Sequence, residues 1–176
     1  DAISIVSWRD YEYYRDQNHV FSGLMAYLRL PVPVRFGDRT ENISGELVSS
    51  NYFQVLGVNA QIGRTFAESE AGAPGGSPVV VLGGRLWRER FQASPDVIGK
   101  TISIGGHPFT VIGVASREFR GVVLDWGRTP ELWIPVTMYR EAVPAFGQAD
   151  ILHLWGMHSM LVTGRLRDGV TAARAG

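Results

Sequence analysis

Apolar and polar residues recur with two periods along this chain, one helical and one alternating, and the change of period marks out its elements. Over residues 8–18 the spacing is helical. Trp8, Tyr11, Tyr14 and then Phe21 fall near one stripe, with Arg9, Glu12, Arg15 and Asp16 largely off it. Ser7 stands before this segment as an N-cap, and Asp10 occupies the third helical position in a weaker version of the capping box. The pattern predicts an amphipathic helix whose aromatic face packs on a sheet. From 21 to 35 the pattern turns extended, and Pro31 and Pro33 deny two backbone donors, which predicts an edge strand or a strand that ends as one. Gly37-Asp38 is a turn signal leading into a second strand over 42–48.

Ser49, Ser50 and Asn51 supply caps for a short helix over Tyr52–Leu56, and Gly57 is its expected left-handed stop. The small-residue stretch 68–78 reads as a surface loop and a candidate hinge between sub-domains. Val79–Leu82 reads as a short buried strand. Gly83-Gly84 then opens a helix carrying Leu86, Trp87 and Phe91, which ends before Ser94-Pro95 because proline restricts its predecessor. The clearest local signal is a hairpin, with extended runs on either side of Gly105-Gly106, a pair suited to the positive φ angles of a type I′ turn. In that register Ile102 faces Phe109 and Ile104 faces His107, so Ile102, Ile104, Phe109 and Val111 share a face. Pro108 opposes Ser103, and its missing N–H predicts an exposed edge there. Residues 119–124 read as extended, 132–136 as a strand fragment, 141–150 as loop and 152–166 as a longer strand. Asp168-Gly169 is a turn, and 170–176 begin an alanine-rich helix. No internal repeat is present.

At 176 residues the chain suits one domain, or one domain carrying a sizeable insertion. Apolar residues make up 45%, aromatic residues 11%, and a chain of this size buries about 70% of its unfolded surface. Charge changes the picture by exclusion. There are 17 basic and 17 acidic residues, and Lys100 is the sole lysine. No basic stripe exists to exchange for phosphate counterions, so nucleic acid is not an expected partner. With no cysteine, disulfides and thiol chemistry are ruled out. No apolar run is long enough to span a bilayer, and the N-terminus lacks the order of a signal peptide. If the domain is exported, its anchors are expected outside these residues.

The candidate chemistry is sparse. His153 and His158 stand five residues apart, on opposite faces of a strand or about 140° apart on a helix, a poor arrangement for chelation. His107 falls at the hairpin tip, and His19 at the end of the first helix, where a cation favours the dipole. Glu68 with Glu70 and Asp10 with Glu12 are read as solvated charge, because neither pair is held at a fixed separation. No nucleophile elbow and no phosphate-cradling glycine loop followed by Lys-Ser/Thr occurs. Catalytic, cofactor-binding and metal-binding residues are therefore not expected. Trp126 and Trp155, in or beside irregular segments, are the candidates for stacking on a sugar or an apolar molecule, whereas Trp133 reads as core. They motivate one alternative, a stand-alone ligand- or carbohydrate-binding module.

Three ordered segments add a further reading. The first runs from Ser7-Trp-Arg-Asp-Tyr to Val20-Phe-Ser-Gly-Leu-Met-Ala-Tyr. The second is 45–66, from Gly-Glu-Leu-Val-Ser-Ser-Asn-Tyr-Phe to Gly-Arg-Thr-Phe, and the third covers 79–91 and 97–114. Together they resemble the MacB-like periplasmic core domain of ABC transporter permeases, over roughly two thirds of the chain. Phe119-Arg-Gly and Pro130-Glu-Leu-Trp-Ile-Pro are similar to the large acidobacterial-type duplicated orphan permeases.

The resemblance implies an α+β fold: a porter-like βα-repeat sub-domain over 1–60, an inserted strand-rich sub-domain over 61–151, and the start of a second, truncated porter half over 152–176. It implies an inner-membrane location with this domain on the periplasmic side. The implied partners are the transmembrane helices of the same permease, a cytoplasmic ATPase, a second permease copy and an unnamed cargo. It implies no ATP binding by this domain, no cofactor and no shared catalytic residues.

Overall fold

The computed structural model describes residues 4–122, 129–153 and 158–171. The expected strand over 152–166, the extended 119–124 segment and the helix begun at 170 each run partly outside them. β1 (Ser4–Val6) leads directly into α1 (Trp8–Gln17). Ser7 accepts the Asp10 N–H and Asp10 accepts the Ser7 N–H, each at 3.1 Å, so the capping box is complete, because a carboxylate one methylene shorter than glutamate still spans the turn. Trp8 and Tyr11 are buried, but Tyr14 is half exposed. Each three-residue step falls about 60° short of a full turn, which carries Tyr14 off the stripe the sequence assigns it.

The chain continues through β2 (Phe21–Phe36), β3 (Arg39–Val48), α2 (Tyr52–Leu56), β4 (Ala60–Gly63), β5 (Val79–Leu82), α3 (Gly84–Phe91), β6 (Thr101–Ile104), β7 (His107–Ala115), β8 (Leu132–Pro135), α4 (Tyr139–Ala142) and β9 (Met160–Leu166). Among the described residues one mixed sheet runs β1-β9-β2-β3-β8-β5-β7-β4, with β6 joining β2 to β7. β9 is antiparallel to both β1 and β2, so it slots between the two strands that α1 connects. β3 pairs β8 in parallel and β5 pairs β7 in parallel.

β2 corrects the edge-strand reading. It is interior, paired with β3 over 27–36, with β9 over 21–27 and with β6 over 34–35. Pro31 and Pro33 sit between the last β9 pair and the first β6 pair, where a missing N–H breaks no ladder bond. A 16-residue strand is long enough to be interior at both ends and one-sided in its middle.

The 101–110 hairpin has the expected register, with Ile102 opposite Phe109 and Ile104 opposite His107. Pro108 is exposed, because the β5 ladder on the far side of β7 begins only at Thr110. β7 itself is interior. The hairpin tip is partly covered: Gly105 has φ +60° and donates its N–H to the Pro33 carbonyl at 2.8 Å. A Cβ on Gly105 would lie 2.0 Å from the Glu141 carbonyl oxygen. That contact comes from α4, within the stretch read from sequence as loop. There Ala142 and Val143 are buried and Tyr139 donates its hydroxyl to the Ala149 carbonyl at 3.0 Å. Phe119–Val122 is not a strand; Phe119 instead packs its ring on Trp133 at 5.1 Å.

Side chains alternate between two cores, one on each sheet face. Leu24, Ala26, Leu47, Ile134, Leu132 and Leu82 line one face, which α1 and α3 cover with Trp8, Tyr11, Leu86 and Trp87. Met25, Tyr27, Val48, Trp133, Val81 and Leu161 line the other, which α2 covers with Tyr52 and Phe53. α2 stops at Gly57, which takes the expected left-handed φ of +71°.

Candidate functional site

The second core holds the one fully buried carboxylate among the described residues, Glu46. Its position follows from register. Glu46 in β3 pairs with Arg29 of β2 on one side and with Trp133 of β8 on the other, and all three project onto the face that α2 covers. The Arg29 guanidinium donates through Nε (3.1 Å) and Nη2 (2.7 Å) to Glu46 Oε1. Oε2 accepts the Tyr52 hydroxyl at 2.7 Å and the Trp133 indole N–H at 2.8 Å. An ionised carboxylate can stay buried only if it is paired and hydrogen-bonded, and four donors from three elements, β2, α2 and β8, meet that requirement.

Arg29 extends the network by donating Nη2 to the Val122 carbonyl at 2.9 Å, which ties the 119–122 loop over the site. Gly121 has φ +70°, and a Cβ there would lie 2.8 Å from Pro130 and 3.3 Å from Glu46 Oε2, so the loop closes at backbone level. Aromatic rings make up the rest of the shell. Phe53 meets Trp133 at 5.6 Å, Phe119 at 5.7 Å and Phe66 at 5.6 Å, and Tyr52 meets Tyr27 at 6.1 Å. Burial, and after it the Glu46 carboxylate, push the Tyr52 phenol above its ordinary pKa. Burial likewise raises Tyr27, against the opposing effect of the Thr163 side chain. The arrangement offers no nucleophile–base pair. Chemically it is a buried clasp joining β2, β3, β8, α2 and one loop.

Sequence reasoning missed this clasp. Glu46 stands in the 45–66 segment, but one acid between Gly45 and Leu47 looks like a surface residue. The available signal was its surroundings: alternation puts Glu46 on the same face as Val48, whose buried role is plain, and two tyrosine and phenylalanine rings follow at once. A second acid was also misjudged. Glu70, expected as solvated charge beside Glu68, is buried in a 3-10 turn over Glu68–Ala71. It takes a bidentate ion pair from Arg64 (2.8 and 3.2 Å) and accepts the Ala67 N–H. Glu68 itself stays exposed.

Two depressions flank the clasp. One, of about 470 Å³, lies along the one-sided middle of β2 and is lined by Ile5, Leu28, Arg29, Leu30, Pro31 and Leu161, among others. The other, of about 670 Å³, lies between α1 and the 68–72 turn, with Tyr11, Arg15, Asn51, Glu70 and Thr137 among its walls. Trp126 and Trp155, the sequence candidates for stacking on a ligand, lie outside the described residues. Trp133 is core, as read. His153 sits 2.8 Å from Asp150, whose carboxyl this contact holds below its usual range, while His158 lies 3.9 Å from Asp10. The two histidines thus face different acids. Among the described residues no group of three or more potential ligands converges to hold a metal ion, and no helix is long and apolar enough to cross a membrane.

The sequence matches the profile of the MacB-like periplasmic core domain over residues 2–176. It is 30% identical over 142 residues to the macrolide export ATP-binding/permease protein MacB of Shigella dysenteriae and, at the same identity, to MacB of Escherichia coli K12. Those alignments take in 81% of this chain and 20% of each relative, so the chain spans about one fifth of the proteins it matches. The fold is similar to the crystal structure of the periplasmic region of MacB from Actinobacillus actinomycetemcomitans. The TM-score is 0.71 at 18% identity, covering 98% of this chain and 70% of that one. It is also similar to the extracellular domain of the noncanonic ABC-type transporter YknZ from Gram-positive bacteria, with a TM-score of 0.65 at 19% identity over 96% of this chain and 75% of that one.

Proposed function

Because the chain belongs to the MacB-like periplasmic core domain family, we propose that it acts as the extracytoplasmic lever of an ABC-type permease, carrying conformational change between the membrane and a cargo or partner protein. The domain sits on the periplasmic side of the inner membrane. The observation that carries the lever reading is the single sheet. A 16-residue β2 runs unbroken from its β9 pairing to its β6 pairing, with a packed core on each face. Packed cores deform little, so a displacement at one end of such a strand reaches the other.

On this reading 1–60 with 152–176 form the porter-like part and 61–151 the inserted strand-rich part. The interleaving of β9 between β1 and β2 supports the first grouping, and the block β5–β7–β4 with β6 supports the second. The proposed partners are the membrane helices of the same permease, a cytoplasmic ATPase and a second permease copy. The lever moves cargo without chemistry of its own.

The test uses the full-length permease reconstituted with its ATPase. Replacing residues 1–176 by a flexible linker is expected to leave ATP hydrolysis in place and abolish export. Export that persists at the intact rate overturns the proposal.

A further inference from the structure

The interruption in the pairing of β2 has a chemistry of its own. β9 leaves β2 after Tyr27 and β6 joins it at Val34, so among the described residues 28–33 pair with β3 alone, a stretch of about 20 Å. In an antiparallel ladder alternate residues turn both backbone groups to the same side. Tyr27, which pairs with β9, and Pro33, whose carbonyl accepts the Gly105 N–H, fix that side. The N–H and C=O of Arg29 and the C=O of Pro31 therefore point into the gap. Ser159, just before β9, turns its N–H to the Val6 carbonyl at 3.2 Å and not to β2.

The 470 Å³ depression borders the gap and runs from it onto the β2–β3 face, where Asn42 and Ser44 of β3 join its lining. Ile5 and Leu161 wall it on one sheet face, and Leu28 and Leu30 on the other. Backbone donors and acceptors in strand geometry, between apolar walls on both faces, match an extended peptide with an unblocked backbone and apolar side chains. The charge at the slot is balanced, since Arg29 is clasped by Glu46; a neutral apolar stretch fits it better than an acidic one.

We propose that this interrupted edge is a docking slot for an extended apolar segment of a partner polypeptide, added antiparallel to β2 as β9 and β6 are. Opposite Arg29 one residue of the segment exchanges two hydrogen bonds, and the residue two places along donates a third to Pro31. Pro31 has no N–H, and the Pro33 carbonyl is already taken. The two prolines therefore hold the added ladder to three bonds and keep the contact short and reversible, which suits a transient partner. The assignment stands on backbone geometry and is independent of the transport role.

The experiment titrates the 176-residue chain, labelled with nitrogen-15, with the capped peptide KKVIVKK and with its twin N-methylated at the central isoleucine. Shifts centred on the amides of residues 27–32 and on Ile5 are expected, with a Kd on the order of 1 mM. The N-methylated twin is expected to bind at least about tenfold more weakly, having lost a backbone donor. Ile5 is 52% exposed, so Ile5→Glu is expected to leave Tm unchanged and weaken the parent peptide by about tenfold. Equal affinity for the two peptides, no shift at Arg29 by about 10 mM peptide, or full affinity in Ile5→Glu overturns the proposal. Shifts at Arg29 that grow with protein concentration and no peptide also overturn it, and assign the slot to a second copy of the chain.

Discussion

Glu46→Gln tests the buried clasp most sharply. The substitution keeps shape and one acceptor oxygen, so the Tyr52 hydroxyl and the Trp133 indole retain a partner, while Arg29 loses its counter-charge. Breaking a buried ion pair costs about 3–5 kcal/mol when the surviving charge is trapped. Arg29 is not fully trapped, because its side chain is 18% exposed whereas that of Glu46 is 0% exposed. The expected cost is therefore about 2–3 kcal/mol. Arg29→Met is expected to cost more, about 3–5 kcal/mol, since it strands the wholly buried partner. The double variant, with no charge left to solvate, is expected to cost at least about 1.5 kcal/mol less than the two single costs added together. Urea unfolding followed by tryptophan fluorescence measures all three, with Trp133 itself reporting on the site. A parallel melt is expected to show about 2–4 °C per kcal/mol. The reasoning fails if Glu46→Gln costs under about 0.5 kcal/mol, if Arg29→Met is the milder change, or if the two effects simply add.

Gly105→Ala is expected to destabilise by about 2–3 kcal/mol, because the new Cβ meets the Glu141 carbonyl at 2.0 Å on top of an unfavourable φ. Gly106→Ala has open space around it and carries only the backbone penalty, about 1 kcal/mol, so equal losses in paired denaturant melts would contradict the packing of α4 on the hairpin tip. Ser7→Ala is expected to cost about 1 kcal/mol through the lost cap. The Ser7 hydroxyl also holds the Asp10 carboxyl below its ordinary value. A depressed carboxyl stabilises the fold above its unfolded pKa, so the carboxylate's share of that gap should close as pH falls below about 4; a gap that widens in acid refutes the assignment. The Tyr52 phenol is raised, so its contribution is complete below about pH 10 and is lost above it. Tyr52→Phe should therefore lose stability less steeply than the parent between neutral and strongly alkaline pH, and identical slopes in pH-dependent urea melts would count against this.

Local signals in the sequence carried much of the fold. The helix over Tyr52–Leu56 with its Gly57 stop and the register around Gly105-Gly106 depend on neighbours within a few residues, and both stand as read. What the sequence hides is non-local. The prolines of β2 truly mark a missing ladder, but only the distant β9 and β6 show that the gap is an interruption and not an edge. The same holds for Glu46, whose burial depends on an arginine 17 residues away and on rings from α2 and β8, and for Glu70, whose burial depends on an arginine 6 residues away and the Ala67 N–H. A carboxylate looks solvated until its donors are known. α4 eluded the pattern because its four residues are too few to display a period. The family resemblance was legible because turns and core positions recur in order along the chain, and the match over 2–176 extends it to nearly every residue.

The lever claim is tested most directly by distance. The chain has no cysteine, and Tyr13 is 60% exposed on the outer side of α1. A spin label at Tyr13→Cys in the full-length permease, otherwise freed of reactive cysteines, therefore reports the separation of two copies by electron–electron double resonance. The account predicts that this separation shifts as a rigid step between the nucleotide-free and ATP-bound transporter, while a second pair placed within one domain, at Asp38→Cys and Glu12→Cys, keeps its spacing. An unchanged separation between copies, or a spacing within the domain that changes instead, contradicts it.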